Sequence, residues 1–184
     1  MIRAGRTIFL MGIKHCGKTT IGRKLAEQRG CSFVDLDDRI LELWQAQHGS
    51  ARRSVREVYR ALGRDGFQSI EAEAAASVVQ DRAPRGSCLI VALGGGTIEN
   101  GSAMSHLEGS GVFVYLLQDE ATLFGRILAG GLPPFLDTED PRATFSELFC
   151  RRDALYRERA DRLVDIRNMA IADALTAVVQ SIER

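Results

Sequence analysis

Residues Gly12-Ile13-Lys14-His15-Cys16-Gly17-Lys18-Thr19 spell G-x-x-x-x-G-K-[ST] directly after the apolar run Ile8-Phe9-Leu10-Met11. This feature leaves few folds open. A strand must end abruptly, glycines must let the backbone bend and approach an anion, and a helix must begin with free N–H groups aimed at it. Thr20-Ile21-Gly22-Arg23-Lys24-Leu25-Ala26 supplies the helical pattern. In such a loop Lys18 would reach the β- and γ-phosphates of a nucleotide, and the Thr19 hydroxyl would ligate magnesium.

The 184 residues suffice for one well-filled core, so a single domain over 1–184 with a small mobile insert is expected. With 45% hydrophobic and 26% charged residues the composition is that of an ordinary globular chain rather than a disordered one. Lys plus Arg and Asp plus Glu both number 24, so no overall field draws nucleic acid or an anionic membrane. No apolar run approaches the roughly 18 residues of a membrane span, and the first residues lack a signal-peptide pattern, so a cytoplasmic monomer is expected. Cys16, Cys31, Cys88 and Cys150 are irregularly spaced without C-x-x-C, which predicts neither a zinc site nor a disulfide framework. Cys31, Cys88 and Cys150 read as buried small hydrophobes. Cys16, just before a helix N-terminus, sits where thiol pKa tends to fall.

Gly30 predicts a helix stop and 31–35 a second strand, which delivers Asp35-Leu36-Asp37-Asp38 to the same rim as the glycine loop. Asp37 or Asp38 also suits an N-cap before Arg39-Ile40-Leu41. From 38 to 83 the pattern is helical, interrupted at His48-Gly49-Ser50 and at Gly63-Arg64-Asp65-Gly66 and ended by Ala83-Pro84-Arg85-Gly86. Ser54 and Glu57 form a capping box. The apolar run 88–93 reads as a strand covered on both faces, and it enters Gly94-Gly95-Gly96, where the backbone must come close to something. Strands at 112–117 and 162–166, helices near 120–128, 143–159 and 170–182, and an aperiodic Gly/Pro-rich lid over about 129–142 complete the chain. Strands alternating with helices predict an α/β fold: a three-layer, doubly wound parallel sheet of about five strands. His48 and His106 read as surface residues and Trp44 as packing.

The glycine loop, Asp35-Leu36-Asp37, Gly66-Phe67 with Glu71, the glycine triplet, and Arg152 before Leu155-Tyr156-Arg157 together resemble the shikimate kinase family in order and spacing. The likeness covers nearly the whole chain and implies a nucleoside-monophosphate-kinase-like enzyme using ATP and Mg2+. It implies that Gly12, Lys14, His15, Cys16, Gly17, Lys18, Thr19 and Thr20 cradle ATP with Arg126 near the adenine, and that Thr19 and Asp35 hold magnesium. It further implies that Lys18 and Asp37 are catalytic. Asp37, Glu71, Gly94, Gly95, Gly96 and Arg152 would receive a small hydroxylated carboxylate, by default shikimate. The chain departs from the family at Gln68 and Pro133, where members typically carry arginines. Another polyol or hydroxy acid as acceptor, or nucleotide binding without transfer, are therefore the competing expectations. Lys14 is a candidate replacement for the lost cations. A guanine-reading N-K-x-D sequence is absent.

Overall fold

The computed structural model describes residues 7–49, 54–80, 88–133 and 136–183. β1 (Thr7–Met11) leads through the glycine loop into α1 (Lys18–Arg29), followed by β2 (Ser32–Asp35), α2 (Leu36–His48) and α3 (Val55–Gln80). β3 (Leu89–Ala92), a 3-10 turn (Thr97–Glu99), α4 (Gly101–Leu107), β4 (Val112–Leu117), α5 (Glu120–Ala129), α6 (Pro141–Arg159), β5 (Arg162–Asp165) and α7 (Ile171–Glu183) follow. The strands form one all-parallel sheet in the order β2-β3-β1-β4-β5. From β1 the chain moves toward β2, and from β3 it crosses back past β1 to β4. The direction therefore reverses between β1 and β3, and in open α/β sheets that crevice, at the carboxyl ends of the strands, receives ligands.

Burial explains this order. Ile8, Phe9 and Leu10 of β1 and Ile90 and Val91 of β3 are wholly excluded from solvent, each contributing roughly 1.5 to 3 kcal/mol of transfer free energy. α1 lies against the sheet so closely that a Cβ at Gly22 would stand 2.5 Å from the Phe33 ring of β2 and 3.1 Å from Leu10 Cδ1 of β1. Gly30 ends α1 in the left-handed conformation, with its N–H on the carbonyls of Ala26 and Glu27. Gly49 does the same for α2. The Ser54–Glu57 capping box forms reciprocally: Ser54 N–H donates to Glu57 Oε2 at 2.8 Å and Glu57 N–H to Ser54 Oγ at 3.3 Å. The interruption expected at 63–66 is a kink within α3, where Gly63 leaves helical geometry (φ 68°, ψ −173°).

Several expectations are corrected. Cys31 and Cys88 are joined by a disulfide, their Cα atoms 4.8 Å apart. Each immediately precedes a strand, and the parallel register that sets Ser32 opposite Leu89 aligns them, a proximity hidden by a sequence separation of 57. Cys150 is exposed rather than buried. The N-cap of α2 is Asp35, not Asp37 or Asp38: its Oδ1 accepts the Asp37 N–H at 3.1 Å. The 3-10 turn and α4 were not anticipated, although Asn100 caps α4 and Ala103, Met104 and Leu107 form its buried stripe. The segment expected as a lid starts in the last residue of α5 and ends in the first turn of α6. Its Leu136 is wholly buried, and Arg56 of α3 donates to the Gly131 carbonyl at 3.2 Å. Pro134, Phe135 and the helix end expected at 83–86 lie outside the described residues.

Candidate active site

The glycine loop leaves β1 through Gly12 (φ 150°), where an added Cβ would stand 2.9 Å from both Cys16 Sγ and the Leu116 carbonyl. It passes through His15, a non-glycine residue at φ 66°, and enters α1 at Gly17 (φ 106°). Asp35, Asn100, Asp119 and Asp140 cap α2, α4, α5 and α6 with a side-chain oxygen, whereas Gly17 offers α1 none. The first N–H groups of α1 thus stay available to an anion, which is the donor set a polyphosphate requires. Lys18 is buried, and its ammonium donates to the carbonyls of Gly12 (2.8 Å) and Ile13 (3.1 Å), along the inside of the loop. Thr20 is exposed in the first turn, and the Cys16 thiol is buried beneath the loop. Arg126, from α5, donates to the His15 carbonyl at 2.9 Å, so that side chain reaches the loop's rim. Burial, then the charges of Lys14, Lys18 and Arg126, lower the His15 pKa.

Thr19 and Asp35 meet across the rim, Thr19 Oγ1 donating to Asp35 Oδ2 at 2.7 Å. A hydroxyl and a carboxylate beside a phosphate cradle suit a hard, oxygen-seeking cation that keeps part of its water. Asp37 lies one step further in. Burial and then the neighbouring Asp35 charge raise its pKa to about 6, with Glu71 adding to the rise while Lys18 and Lys14 oppose it. Glu71, from α3, is 4% exposed and held by Thr97 Oγ1 (2.7 Å) and Asn100 Nδ2 (2.8 Å); burial raises its pKa while those donors lower it.

The glycine triplet lies in the middle of these groups. A Cβ at Gly94 would stand 2.9 Å from Thr97 Oγ1, 3.2 Å from Asp37 Oδ1 and 3.4 Å from Glu71 Oε1. One at Gly95 would stand 2.8 Å from the Lys14 amide nitrogen, and one at Gly96 3.3 Å from Arg152 Nη2. The close approach expected of these glycines is therefore made in part to the protein's own groups. Tyr156 donates its hydroxyl to the Gly95 carbonyl at 2.8 Å. Its ring stacks on Tyr115, which holds α6 through Asp153 (2.6 Å). Arg152 is gripped by Glu99, its Nε at 2.9 Å and Nη2 at 2.7 Å from Oε2, while Arg151 takes Oε1 at 2.7 Å.

Thus the structure brings Lys18, Thr19, Asp35, Asp37, Glu71, the glycine triplet and Arg152 together, with Arg126 at the rim of the glycine loop. Sequence reasoning missed Thr97, Glu99 and Asn100, which lie in the unanticipated turn and helix cap, and gave Tyr156 no role. Gln68 lies one helical turn before Glu71, its carbonyl bonded by Asn100 Nδ2 at 2.8 Å. Pro133 is buried, and its carbonyl accepts the Leu136 N–H at 2.9 Å. Among the described residues no helix is long and apolar enough to cross a membrane.

Comparison with known proteins agrees with this geometry. The family profile described as SKI: Shikimate kinase matches residues 14–183. The chain is 34% identical over 178 residues to a shikimate kinase of Bordetella pertussis, covering 96% of this chain and 78% of that protein. It is 33% identical over 184 residues to a shikimate kinase of Marinomonas, covering 100% of this chain and 95% of the relative. Among solved structures, shikimate kinase from Acinetobacter baumannii in complex with shikimate superposes with a TM-score of 0.81 at 29% identity, covering 97% of this chain and 93% of that one.

Proposed function

The chain belongs to the shikimate kinase family and is a P-loop small-molecule kinase, and we propose that it transfers the γ-phosphoryl group of ATP to the 3-hydroxyl of shikimate. The observation that carries this reading is the convergence of an uncapped helix N-terminus and Lys18 with a half-buried carboxylate, Asp37, beside the glycine triplet. Phosphoryl transfer needs positioning and charge neutralisation more than covalent help from the protein. The loop amides from Gly12 to Thr20 and the Lys18 ammonium bind and orient the phosphates, with Arg126 near the adenine. Thr19 and Asp35 would hold Mg2+, which when bound neutralises charge on the phosphates. Asp37 accepts the hydroxyl proton as the new O–P bond forms, and the bond from γ-phosphorus to its bridging oxygen breaks with its electron pair leaving on ADP. Glu71 fixes the floor of the acceptor site through Thr97 and Asn100, and Arg152 receives the acceptor carboxylate. Residues 129–142 act as the lid of a single kinase domain over 1–184, a monomer working in the cytoplasm, where ATP is supplied.

A coupled assay of ADP release against shikimate, quinate, aminoshikimate and simple sugar acids, with Asp37→Asn as control, tests this. Acceptor-dependent release fastest with shikimate is expected. Release indifferent to every acceptor would leave a nucleotide-binding module instead. A specific observation favours a second acceptor, another polyol or hydroxy acid: Gln68 and Pro133 replace two cations, and Arg152 is already engaged by Glu99.

A further inference from the structure

Resting on that kinase reading, we infer that Lys14 binds the anionic group of the acceptor, making a cationic seat with Arg152 over Gly95 and Gly96. Three cations of the site are held by protein acceptors: Lys18 by loop carbonyls, Arg126 by His15, and Arg152 by Glu99. Lys14 is exposed, and among the described residues its ammonium makes no hydrogen bond or ion pair. Its backbone borders the acceptor side of the loop, since its amide nitrogen stands 2.8 Å, and its Cα and Cβ 3.3 Å, from where a Gly95 Cβ would be. The next glycine is the one that faces Arg152 Nη2 at 3.3 Å. Consecutive residues of the triplet thus meet the root of the Lys14 side chain and the guanidinium of a half-engaged arginine. The charge of Lys14 is also felt at Asp37, on the acceptor side.

A site that receives a carboxylate needs more than one charge-assisted donor to offset its desolvation. Gln68 offers a neutral amide and Pro133 no donor. Lys14 satisfies this need with a point charge on a flexible stem, which fixes the carboxylate's position less tightly than an arginine fork. On this reading the acceptor's anionic group is held from the loop and α6 rather than from α3.

The test compares wild type with Lys14→Met on shikimate and on its uncharged methyl ester at saturating ATP, together with the KM for ATP. On shikimate the KM rises about 10- to 100-fold, while on the ester it changes less than about 2-fold and the KM for ATP is unmoved; Lys14→Arg restores most of the loss. An equal change on acid and ester, a change confined to ATP, or no change overturns the assignment. Failure of the kinase reading is distinguishable. If wild type prefers another carboxylated acceptor and Lys14→Met raises the KM for that acid alone, shikimate falls and Lys14 stands. If wild type turns over only neutral polyols, the Lys14 assignment falls. If ADP release ignores every acceptor, titration of shikimate into the Mg·ADP-loaded protein decides: equal affinity for wild type and Lys14→Met, or no binding to wild type, overturns it, and weaker binding by the variant sustains it.

Discussion

The phosphate loop springs from β1, a central strand buried from Ile8 to Met11, whereas Asp35 and Asp37 stand at the end of β2, an edge strand with no fully buried residue. The first half of the site is made chiefly of backbone: amides of the loop and α1, glycine conformations, and one lysine. The second is made of side chains drawn from α2, α3, α6 and the turn after β3. A backbone-made site tolerates exchange of its variable side chains, so Lys14, His15 and Cys16 can occupy the loop interior without abolishing the cradle. A side-chain-made site changes with each replacement, so under the proposed function the departure at Gln68 bears on the acceptor.

The largest effect expected from this division concerns Asp37. Asp37→Asn lowers kcat about 1000-fold, the scale of a positioned general base, while the KM for ATP stays within about 2-fold in steady-state assays. The same variant is more stable above neutrality. Asp37 titrates near pH 6 in the fold against an ordinary value of 3.8, so its favourable contribution is complete below pH 3.8 and is lost as pH rises through about 6. In the metal- and nucleotide-free protein at pH 8 the charged form costs on the order of 3 kcal/mol, against the opposing fields of Lys18 and Lys14 and with those of Asp35 and Glu71. Thermal melts should therefore show Asp37→Asn above wild type at pH 8 and level with it at pH 4. A gap independent of pH would mean that Asp37 is not the strained group of the acceptor half.

The Cys31–Cys88 staple bears on the edge strand and its neighbour. It ties the start of β2 to the start of β3 and closes a 57-residue separation, worth about 4 kcal/mol if chain entropy dominates. Replacing both cysteines with alanine, or reducing them, should lower Tm by several degrees while leaving kcat/KM within about 2-fold, because the carboxylates lie at the opposite end of β2. A fall in acceptor affinity without one in ATP affinity would show that edge-strand rigidity positions Asp37.

How much of the molecule could be read from the sequence follows the same division. The strands, the loop, the capping box and the left-handed stops at Gly30 and Gly49 rest on local patterns, and they appear where expected. Glu71 and Arg152 were placed by family resemblance. Their partners Thr97, Asn100 and Glu99 were missed, because they lie in a short turn without periodicity and matter only through contacts 26 to 53 residues away. The disulfide was missed for the same reason: adjacency across parallel strands leaves no trace in spacing.

Where the two halves touch, a graded pair of substitutions is informative. At Gly95 a methyl group meets the Lys14 backbone nitrogen at 2.8 Å, which cannot yield without moving the loop. Gly95→Ala should cost about 1 to 3 kcal/mol and lower kcat/KM roughly 10- to 100-fold for ATP and acceptor alike. At Gly96 the methyl meets the end of Arg152, a movable side chain, at 3.3 Å. Gly96→Ala should raise only the acceptor KM, by about 2- to 5-fold through a small shift of that guanidinium. Equal effects on both substrates at both positions would erase the division.

The smallest effect separates packing from positioning at the same seam. Tyr156 is wholly buried, stacks on Tyr115 with ring centroids 4.9 Å apart, and donates to the Gly95 carbonyl. Tyr156→Phe keeps the ring and removes one donor, leaving that carbonyl short of a partner, at a cost of about 1 to 2 kcal/mol and a Tm lower by roughly 2 to 6 °C. Tyr115→Phe removes a comparable hydroxyl, but one that binds Asp153 on α6 and not the triplet. If the Tyr156 hydroxyl positions Gly95 against the phosphate loop, Tyr156→Phe raises both KM values about 2- to 5-fold, while Tyr115→Phe lowers Tm and leaves both unmoved. Matching kinetics for the two variants would reduce both hydroxyls to anchors of α6 and leave the loop's register to the glycine contact itself.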